Sequence, residues 1–465
     1  MSSHILRENR AFFVDIVSAI MYSVDGFDYP IVDVPQRSRV SGMNSVAKSE
    51  SAILTRIAAL LARHPRGYTL PQALYCDPDI FELDLRRIFY RNWLFVGHIS
   101  QIPRAGDFIT YEIGGESLVL LRTRAGSIRA LFNVCRHRGA RICNHPAGHM
   151  SALVCPYHQW TYDLDGTLVA ARNCGADFDA NGCSLAPASV RVTEGFIFVC
   201  LDGPPPDFTV VEQDLHQHLT LHELEGVRVC HTRSYLVRAN WKLLDENARE
   251  CFHCAGSHPE YCGAVMSAGA TTPREVELAA HIQAEKEAEW RFLGFDVRQK
   301  PFAPGTFHSV SRYALRPGVV TESLDGQPVA PRLGGLPTLD AGVVGIGIYP
   351  SLLAETCSDY AVTLRFTPRA VDITEVEMAW LVRSDAKEHE DYEIDRLTAV
   401  WRATAEQDWK LCELNQLGVR STRYRPGPYA SNEWGCRHFI DWYLEELVGR
   451  PSLTASPSRS IAREP

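Results

Sequence analysis

Two cysteine–histidine pairs, separated by a short stretch of chain, are the feature that most constrains this sequence. Cys135-x-His137 is followed, after 17 residues, by Cys155-x-x-His158. The pattern places the two pairs on two loops, and each pair can hold one metal position. The sequence therefore predicts a fold in which two loops meet at a metal centre with two cysteine and two histidine ligands.

Two kinds of metal centre accept this ligand set. A structural zinc site takes the four ligands as a tetrahedron, but zinc fingers usually have both cysteines first and both histidines last. In a Rieske [2Fe–2S] cluster, two histidines replace two cysteines on one iron. The C-x-H then C-x-x-H order favours the cluster, and so do Gly139 and Pro156, which permit tight turns near the sulfurs. Cys143 and His145 are interpreted as loop residues.

Composition limits the class of protein. A chain of 465 residues can bury a large core, so its 14 cysteines favour metal binding or catalysis over disulfides. A net charge of -9 argues against a nucleic-acid partner. The longest nearly apolar run, residues 11–24, is too short to span a membrane. It also does not favour export, because Asp15 interrupts it and no clear small-residue cleavage site follows. We expect a cytoplasmic protein, with Cys251 and Cys254 reduced and buried.

The pattern of the chain changes several times along its length. Residues 1–48 are predicted to be a disordered leader, and Met43 is interpreted as the native start. Residues 49–92 are predicted to be helical, with one helix over Ile80 to Arg91, and residues 448–465 to be a loose tail.

The two central segments differ in their secondary structure. Residues 93–203 predict an all-β unit, and three prolines then mark a boundary before an α+β segment over residues 207–447. The runs that predict strands are Phe108–Ile113, Ser117–Arg122, Gly195–Leu201, Val343–Ile348, Tyr360–Phe366 and Thr374–Val382. Helical patterns surround Trp241–His253 and Tyr392–Gly418.

A second group of metal-binding residue types lies in the α+β segment. Glu250 and His253 are three residues apart, which predicts that they share one face of a helix. His258 follows five residues later, so the helix must distort or end near Gly256, before Pro259. Two histidines and a distant carboxylate form a facial triad that leaves open positions on ferrous iron. The alternative is two ordinary core or surface histidines.

From about Tyr68 to Leu447, the chain resembles the alpha subunits of Rieske non-haem iron oxygenases, in the aromatic-ring-hydroxylating dioxygenase superfamily. The resemblance implies that His253 and His258 bind a mononuclear Fe(II). It also implies that Glu250 replaces the acid that bridges the two metal centres. Many aromatic-ring dioxygenases have Asp there, and Glu is one methylene longer.

The same resemblance implies the remaining ligand and the fold. Asp408 is the expected third iron ligand, and Glu406 and Glu413 are interpreted as solvated helix charges. The expected fold is α+β: an all-β Rieske [2Fe–2S] domain at 93–203 and an antiparallel-sheet catalytic domain with helices at 207–447. That second domain is expected to be helix-grip-like, with the helices of residues 49–92 packed on it.

Two further implications concern electron supply. Respiratory-type Rieske proteins have a disulfide between their loops, but Ala140 and Tyr157 occupy those positions here, which is typical of the low-potential branch used by oxygenases. The sequence shows no nucleotide-binding fingerprint. The resemblance therefore implies electrons from NAD(P)H through a separate flavin/[2Fe–2S] reductase. It also implies a homotrimer in which His158 of one subunit meets Glu250 of the next.

The segments Arg423–Tyr443 and Thr321–Val329, with Trp160, resemble the quaternary-ammonium branch of this family, which includes glycine betaine, stachydrine and carnitine oxygenases. The resemblance implies a monooxygenase that hydroxylates an N-methyl carbon. The carbinolamine then collapses to formaldehyde and a demethylated amine. The alternatives are a ring-hydroxylating dioxygenase acting on an aromatic or heteroaromatic substrate, a Rieske electron carrier, and a metal-stabilised scaffold.

Aromatic side chains recognise quaternary ammonium groups through cation–π attraction. Four aromatic residues lie near the expected iron ligands in sequence and are interpreted either as a substrate cage or as core residues. They are Tyr261, Phe307, Tyr349 and Trp409.

Overall fold

A computed structural model of the chain describes residues 43–175 and 177–449. The prediction of a disordered leader over residues 1–48 is wrong for residues 43–48, which belong to the first helix, and Val448 of the predicted tail still belongs to the last helix. Residues 1–42 and 450–465 lie outside the described residues, and the assignment of Met43 as the native start stays a prediction. The described chain begins with helices whose bounds are α1 Met43–Leu61, α2 Gln72–Cys76 and α3 Pro78–Asp84. A π-helical turn, Leu85–Phe89, continues α3.

Ten strands follow, and all of their pairings are antiparallel. Their bounds are β1 Leu94–His98, β2 Asp107–Ile113, β3 Glu116–Arg122, β4 Ile128–Phe132, β5 Ala147–His149, β6 Leu153–Val154, β7 Thr161–Tyr162, β8 Leu168–Ala170, β9 Pro187–Thr193 and β10 Phe196–Cys200. Within the described residues they form a sheet in the order β1-β10-β9-β4-β3-β2-β5 and a small sheet in the order β6-β7-β8.

The rest of the described chain combines helices with one larger antiparallel sheet. Its elements are α4 Thr209–Leu219, β11 Val227–Val237, α5 Trp241–Asn247, α6 Cys254–Ser257, α7 Pro259–Ala264, α8 Met266–Gly269, α9 Pro273–Phe292, β12 His308–Tyr313, β13 Val343–Ile348, β14 Leu352–Thr356, β15 Ala361–Ala370, β16 Ile373–Arg383, α10 Ile394–Val419 and α11 Trp434–Val448. The strand order is β11-β16-β15-β14-β13-β12.

Alternation along these strands gives the larger sheet two apolar faces. On β15 and β16, Leu364, Phe366 and Met378 belong to one core together with residues of α5, α10 and α11. Ile346 of β13 and Ala354 of β14 belong to a second core on the other face, which includes residues of α4 and α9. Because successive strand residues point to opposite faces, one sheet supports both cores. The long helix α10 is thereby held against the sheet.

The α+β fold class is confirmed, and the predicted strands are present at β2, β3, β10, β13, β15 and β16. The helix predicted over Ile80 to Arg91 instead begins at Pro78. Asp77 caps it by accepting a hydrogen bond from Asp79 N–H, and proline suits the first helical turn. No helix among residues 43–175 and 177–449 is long and apolar enough to cross a bilayer.

A fully buried ion pair joins the N-terminal helices to the α+β part of the chain. Lys242 Nζ on α5 donates to Asp84 Oδ2 on α3 at 2.5 Å, and both side chains are completely buried. Tyr443 Oη and Trp241 Nε1 also donate to this carboxylate, at 2.8 and 3.1 Å. Burial raises the pKa of Asp84 and lowers that of Lys242, and their mutual attraction opposes both shifts.

Replacing Lys242 by Met should leave Asp84 as a buried carboxylate without its cation. We expect Lys242→Met to lower the free energy of unfolding by about 3–5 kcal/mol. Urea denaturation followed by circular dichroism measures this change. The double variant Asp84→Asn/Lys242→Met removes both charges and should recover part of the loss. Equal destabilisation of the single and double variants would contradict the ion-pair interpretation.

Candidate iron–sulfur and iron sites

The two cysteine–histidine loops have the same backbone design. Cys135 N–H donates to the carbonyl of Ala140, and the carbonyl of Cys135 accepts from Gly139 N–H. In the second loop, Cys155 N–H donates to Trp160, and the carbonyl of Cys155 accepts from Gln159 N–H.

Each of these loops turns through a residue with positive φ. Gly139 has φ 77° and Gln159 has φ 61°. Glycine adopts this conformation without steric cost, whereas glutamine requires support from the surrounding loop. The structure thus gives both metal-binding loops the same tight turn.

The four candidate cluster ligands differ in exposure. Cys135 and Cys155 are buried, whereas His137 is exposed and His158 is half-buried. The two imidazole rings are 4.6 Å apart between centroids, and Trp160 stacks on His137. This arrangement suits a cluster whose sulfur-ligated iron lies inside and whose histidine-ligated iron lies near the surface.

Tyr162 supports the first loop from within. Its hydroxyl accepts a hydrogen bond from Arg136 N–H at 3.0 Å and lies 3.2 Å from Cys135 Sγ. Burial, followed by the contact with Cys135, raises the pKa of Tyr162, so the hydroxyl keeps its proton and can donate to the sulfur. Hydrogen bonds to a ligating sulfur are one means by which proteins tune cluster potentials.

The three predicted iron ligands come together although 150 residues separate them. Asp408 Oδ1 lies 3.1 Å from His253 Nε2 and 2.9 Å from His258 Nε2. Asp408 lies within α10, whereas His258 lies between α6 and α7, directly before Pro259. The predicted helix break before Pro259 is therefore confirmed.

Both histidines are oriented by partners on their other ring nitrogen. His253 Nδ1 is 2.6 Å from Glu250 Oε1, and His258 Nδ1 is 2.8 Å from Gln407 Oε1. Gln407 Nε2 in turn donates to Glu260 at 2.9 Å. With a proton kept on each Nδ1, Nε2 is the atom of each ring that can bind a metal beside Asp408.

The donor set fits a divalent metal. His258 Nε2 is buried and has no hydrogen-bond partner, although Asp408 Oδ1 is close to it. Burial lowers the pKa of His253, but hydrogen bonds with Asp408 and Glu250 outweigh it and raise the pKa to about 9. Burial raises the pKa of Asp408, but the two histidines outweigh it and lower the pKa. A metal ion bound by these atoms would replace protons at the imidazoles.

Two predictions about this segment are wrong. Glu250 and His253 do not share a helix face, because α5 ends at Asn247 and both residues lie in the irregular segment that follows. Cys251 and Cys254 are not reduced and both buried; they form a disulfide, and Cys251 is exposed. A close approach at α11 helps explain the early helix end: a Cβ at Gly435 would lie 2.2 Å from the carbonyl oxygen of Arg249.

The acidic neighbours of Asp408 point away from the site. Glu406 accepts from Tyr235 Oη and pairs with Arg233, and Glu413 accepts from Arg238 N–H. Both carboxylates stay partly exposed, as predicted, and they also attach α10 to β11 and to the residue that follows it.

The four aromatic residues considered for a cage have different partners. Tyr261 contacts Trp401, Phe307 contacts Phe208, Tyr349 stacks on Phe302, and Trp409 packs against Tyr235 and Phe366. Tyr261 lies three residues beyond His258, whereas Tyr349 lies beneath the Arg249 guanidinium. The structure thus does not bring the four together as one cage.

Sequence reasoning missed the supporting residues Gln407, Glu260 and Asn247. Asn247 Nδ2 lies 3.4 Å from His253 Nε2. Gln407 is adjacent to Asp408 in sequence, which offered a weak signal. Nothing in the sequence indicated Glu260.

Comparisons with known proteins agree with this geometry. The model of the Rieske [2Fe-2S] domain matches residues 92–187, and that of the ring hydroxylating alpha subunit (catalytic domain) matches residues 224–449. The glycine betaine monooxygenase oxygenase subunit of Chromohalobacter salexigens is 38% identical over 413 residues, which cover 87% of this chain and 92% of that protein.

Solved structures show the same fold. A quaternary ammonium Rieske monooxygenase in complex with gamma-butyrobetaine matches with a TM-score of 0.61 and 21% identity, covering 83% of this chain and 97% of that one. Naphthalene 1,2-dioxygenase from Rhodococcus matches with a TM-score of 0.59 and 19% identity, covering 88% and 99%.

The chain therefore belongs to the Rieske non-haem iron oxygenases, as an oxygenase (alpha) subunit of the quaternary-ammonium branch. Its cofactors are a Rieske [2Fe–2S] cluster and a mononuclear iron, and a partner reductase supplies the electrons.

Removing the third ligand should empty only one of the two metal sites. With the cluster and the mononuclear iron loaded, we expect about three irons per chain. Asp408→Ala should lower this to about two and preserve the visible absorption of the cluster. Elemental analysis and absorption spectra measure both. Glu413→Ala, on the same helix, is the control and should keep about three irons. An Asp408→Ala protein that retains the third iron would contradict the ligand assignment.

Proposed function

We propose that this chain is the terminal oxygenase component of a two-component monooxygenase that N-demethylates a betaine-type quaternary ammonium compound. The observation that carries the proposal is the 38% identity to a glycine betaine monooxygenase oxygenase subunit over nearly its whole length. We further propose Cys135, His137, Cys155 and His158 as cluster ligands. The proposed iron ligands are His253, His258 and Asp408. We also propose two domains, a Rieske domain at 93–203 and a catalytic domain at 207–447.

A cluster of aromatic and acidic side chains that begins three residues beyond His258 supports a cationic substrate. Tyr261 begins this cluster, with its ring 5.6 Å from that of Trp401 and its hydroxyl 3.3 Å from that of Tyr313. Tyr313 Oη in turn lies 2.9 Å from a carboxylate oxygen of both Glu322 and Glu355.

The carboxyl groups of this cluster have no basic side chain paired with them in the described part of the chain. Glu322 and Glu355 are buried, and neither forms an ion pair with Lys or Arg within residues 43–175 and 177–449. Burial raises the pKa of Glu322 to about 7 and that of Glu355 well above its usual range. Such carboxylates favour a cation nearby, and aromatic rings bind quaternary ammonium groups. A neutral aromatic hydrocarbon would satisfy neither requirement.

The chain's own residues prepare the site for the reaction. Bound there, iron would supply oxygen activation and hydroxylation of a substrate methyl group. Glu250 and Gln407 hold the two imidazole rings in one orientation through their Nδ1 atoms. Asp408 supplies the carboxylate and, with two histidines, leaves positions free for oxygen and substrate. Hydroxylated N-methyl groups release formaldehyde and leave the demethylated amine.

Electrons must reach this site from the cluster. We propose a homotrimer in which the Glu250 carboxylate bridges His253 to His158 of the partner subunit. Glu250 contacts His253 directly and is only partly buried, and Tyr157, beside the chain's own His158, is 55% exposed. Both ends of the proposed bridge therefore reach the protein surface. NAD(P)H would supply the electrons through a flavin/[2Fe–2S] reductase, and we propose a cytoplasmic location.

A substrate panel tests the proposed reaction without a cognate reductase. The cluster is reduced chemically, and the protein is mixed with oxygen and with glycine betaine, stachydrine, carnitine or naphthalene. We expect formaldehyde and a demethylated amine from at least one betaine, measured by derivatisation and mass spectrometry. Hydroxylation of naphthalene without formaldehyde from any betaine would instead favour the ring-hydroxylating alternative.

Removing the charge of Glu250 should slow electron transfer while preserving the metals. In Glu250→Gln the amide oxygen can still accept from His253, so about three irons should remain. We expect reoxidation of the reduced cluster in the presence of substrate and oxygen to slow by about 10–100-fold. Stopped-flow absorption measures this rate. Glu413→Gln is the matched control and should behave like the unmodified protein. Unchanged reoxidation in Glu250→Gln would refute the bridge.

A further inference from the structure

Two cysteines bracket one of the iron ligands and are bonded to each other. Cys251 and Cys254 form a disulfide with a Cα–Cα distance of 5.0 Å, and His253 lies between them in sequence. The other twelve cysteines are free. The Cα separation lies within the range that disulfides require, so the backbone accommodates the bond.

The two sulfurs have different surroundings. Cys254 is only 4% exposed, and its Sγ and one ring nitrogen each of His253 and His258 all lie within 4.8 Å of one another. Cys251 is exposed. One sulfur of the pair thus lies close to the rings of two candidate iron ligands, and the other reaches solvent.

The oxidation state of the pair decides what the inner sulfur can do. Thiolate sulfur is a strong ligand for iron and zinc, whereas a sulfur in a disulfide carries no charge to offer a metal. In the disulfide, Cys254 is therefore only a neighbour of the metal position. With the bond opened, it is a thiol that can lose its proton and bind a metal.

We propose that Cys251 and Cys254 form a reversible thiol–disulfide site that sets the number of protein ligands on the mononuclear metal. In the disulfide form, His253, His258 and Asp408 hold the metal. In the dithiol form, the Cys254 sulfur also binds and takes a position otherwise open to oxygen or substrate. This inference rests on the proposed function only in taking these three residues as the metal ligands.

The exchange requires a small-molecule thiol as the reductant. Its thiolate attacks exposed Cys251, which breaks the protein disulfide, forms a mixed disulfide at Cys251 and releases the Cys254 sulfur. A second thiol then attacks the mixed disulfide and leaves as part of the small-molecule disulfide. In total, two electrons and two protons pass to the protein, and Cys254 gives up its proton when it binds metal. The small-molecule disulfide reverses the reaction.

The surrounding chain leaves room for this exchange. The segment between α5 and α6 is not helical, and its start is fixed where Arg249 meets Gly435. His253 contacts Glu250 and Asp408 through its ring nitrogens, and neither contact involves a cysteine. Opening the bond therefore frees the Cys254 side chain without removing the contacts that orient the imidazole.

Zinc provides a probe of the ligand set that does not itself change oxidation state. The protein is loaded with one equivalent of Zn²⁺ at the mononuclear site and examined by zinc K-edge X-ray absorption, to which the cluster irons do not contribute. We expect only nitrogen and oxygen neighbours at about 2.0–2.2 Å in the disulfide form. After reduction with a phosphine, a sulfur neighbour should appear at about 2.3 Å.

Variants assign that sulfur. Cys254→Ser should show no sulfur neighbour under either condition, whereas Cys251→Ser should show it without any reductant. Cys262→Ser, which removes a free cysteine four residues beyond His258, is the matched control and should behave like the unmodified protein. Differential alkylation and mass spectrometry should find residues 251 and 254 linked in the oxidised sample.

Three results would overturn the inference. They are two free thiols at these positions in the oxidised sample, a sulfur neighbour that persists in Cys254→Ser, and nitrogen and oxygen neighbours alone in both the reduced protein and Cys251→Ser. None of these results depends on formaldehyde release, so the proposed reaction could stand if this inference failed. Failure of zinc to bind His253, His258 and Asp408 would instead count against the iron site itself.

Discussion

One carboxylate, that of Asp408, is the group on which the proposed iron site depends. It lies within 3.1 Å of two imidazole nitrogens that come from a segment 150 residues earlier in the chain. Attraction to charged imidazoles can hold this group together, but it places three titratable side chains in a partly desolvated space. A divalent cation would compensate the cost of burying these groups together, because it binds the imidazole lone pairs that otherwise hold protons. The packing of α5 against both α10 and α11 serves to keep these three groups at one point.

Long-range packing brings the helices to that point. Asn240 N–H, at the start of α5, donates to Gln416 on α10 at 2.8 Å, and Cys412 Sγ contacts the carbonyl of Leu243. These contacts lie one to two turns from Asp408, so α5 and α10 are aligned near the site. The irregular segment after Asn247 then turns the two histidines toward the carboxylate. The early end of α5 is therefore part of how the site is made.

Local patterns allowed much of this to be predicted from sequence, and long-range ones did not. The cluster loops are short, so the spacing of Cys135 to His158 was sufficient to indicate their chemistry. Local sequence was likewise sufficient to predict the end of the helix before Pro259 and strands such as Val343–Ile348. Asp408 could be chosen only by family resemblance, because nothing local distinguishes it from Glu406 or Glu413. The helix end at Asn247 is accompanied by a close approach of α11 at Gly435, a long-range contact that the sequence does not display, and the disulfide at Cys251 follows that helix end.

The buried pair Asp84–Lys242 has a consequence for how such proteins can be recombined. It joins helices that precede the ten Rieske-region strands to a helix that follows them, and Gln72 likewise donates to the carbonyl of Val419 at the end of α10. The electron-transfer module is therefore an insertion within the catalytic body, not an appendage at its beginning. To exchange this module between related proteins, the chain must therefore be joined at two points, one before and one after the ten strands. In such an exchange, the N-terminal helices should come from the same parent protein as the catalytic part, because they contact it through Asp84 and Gln72.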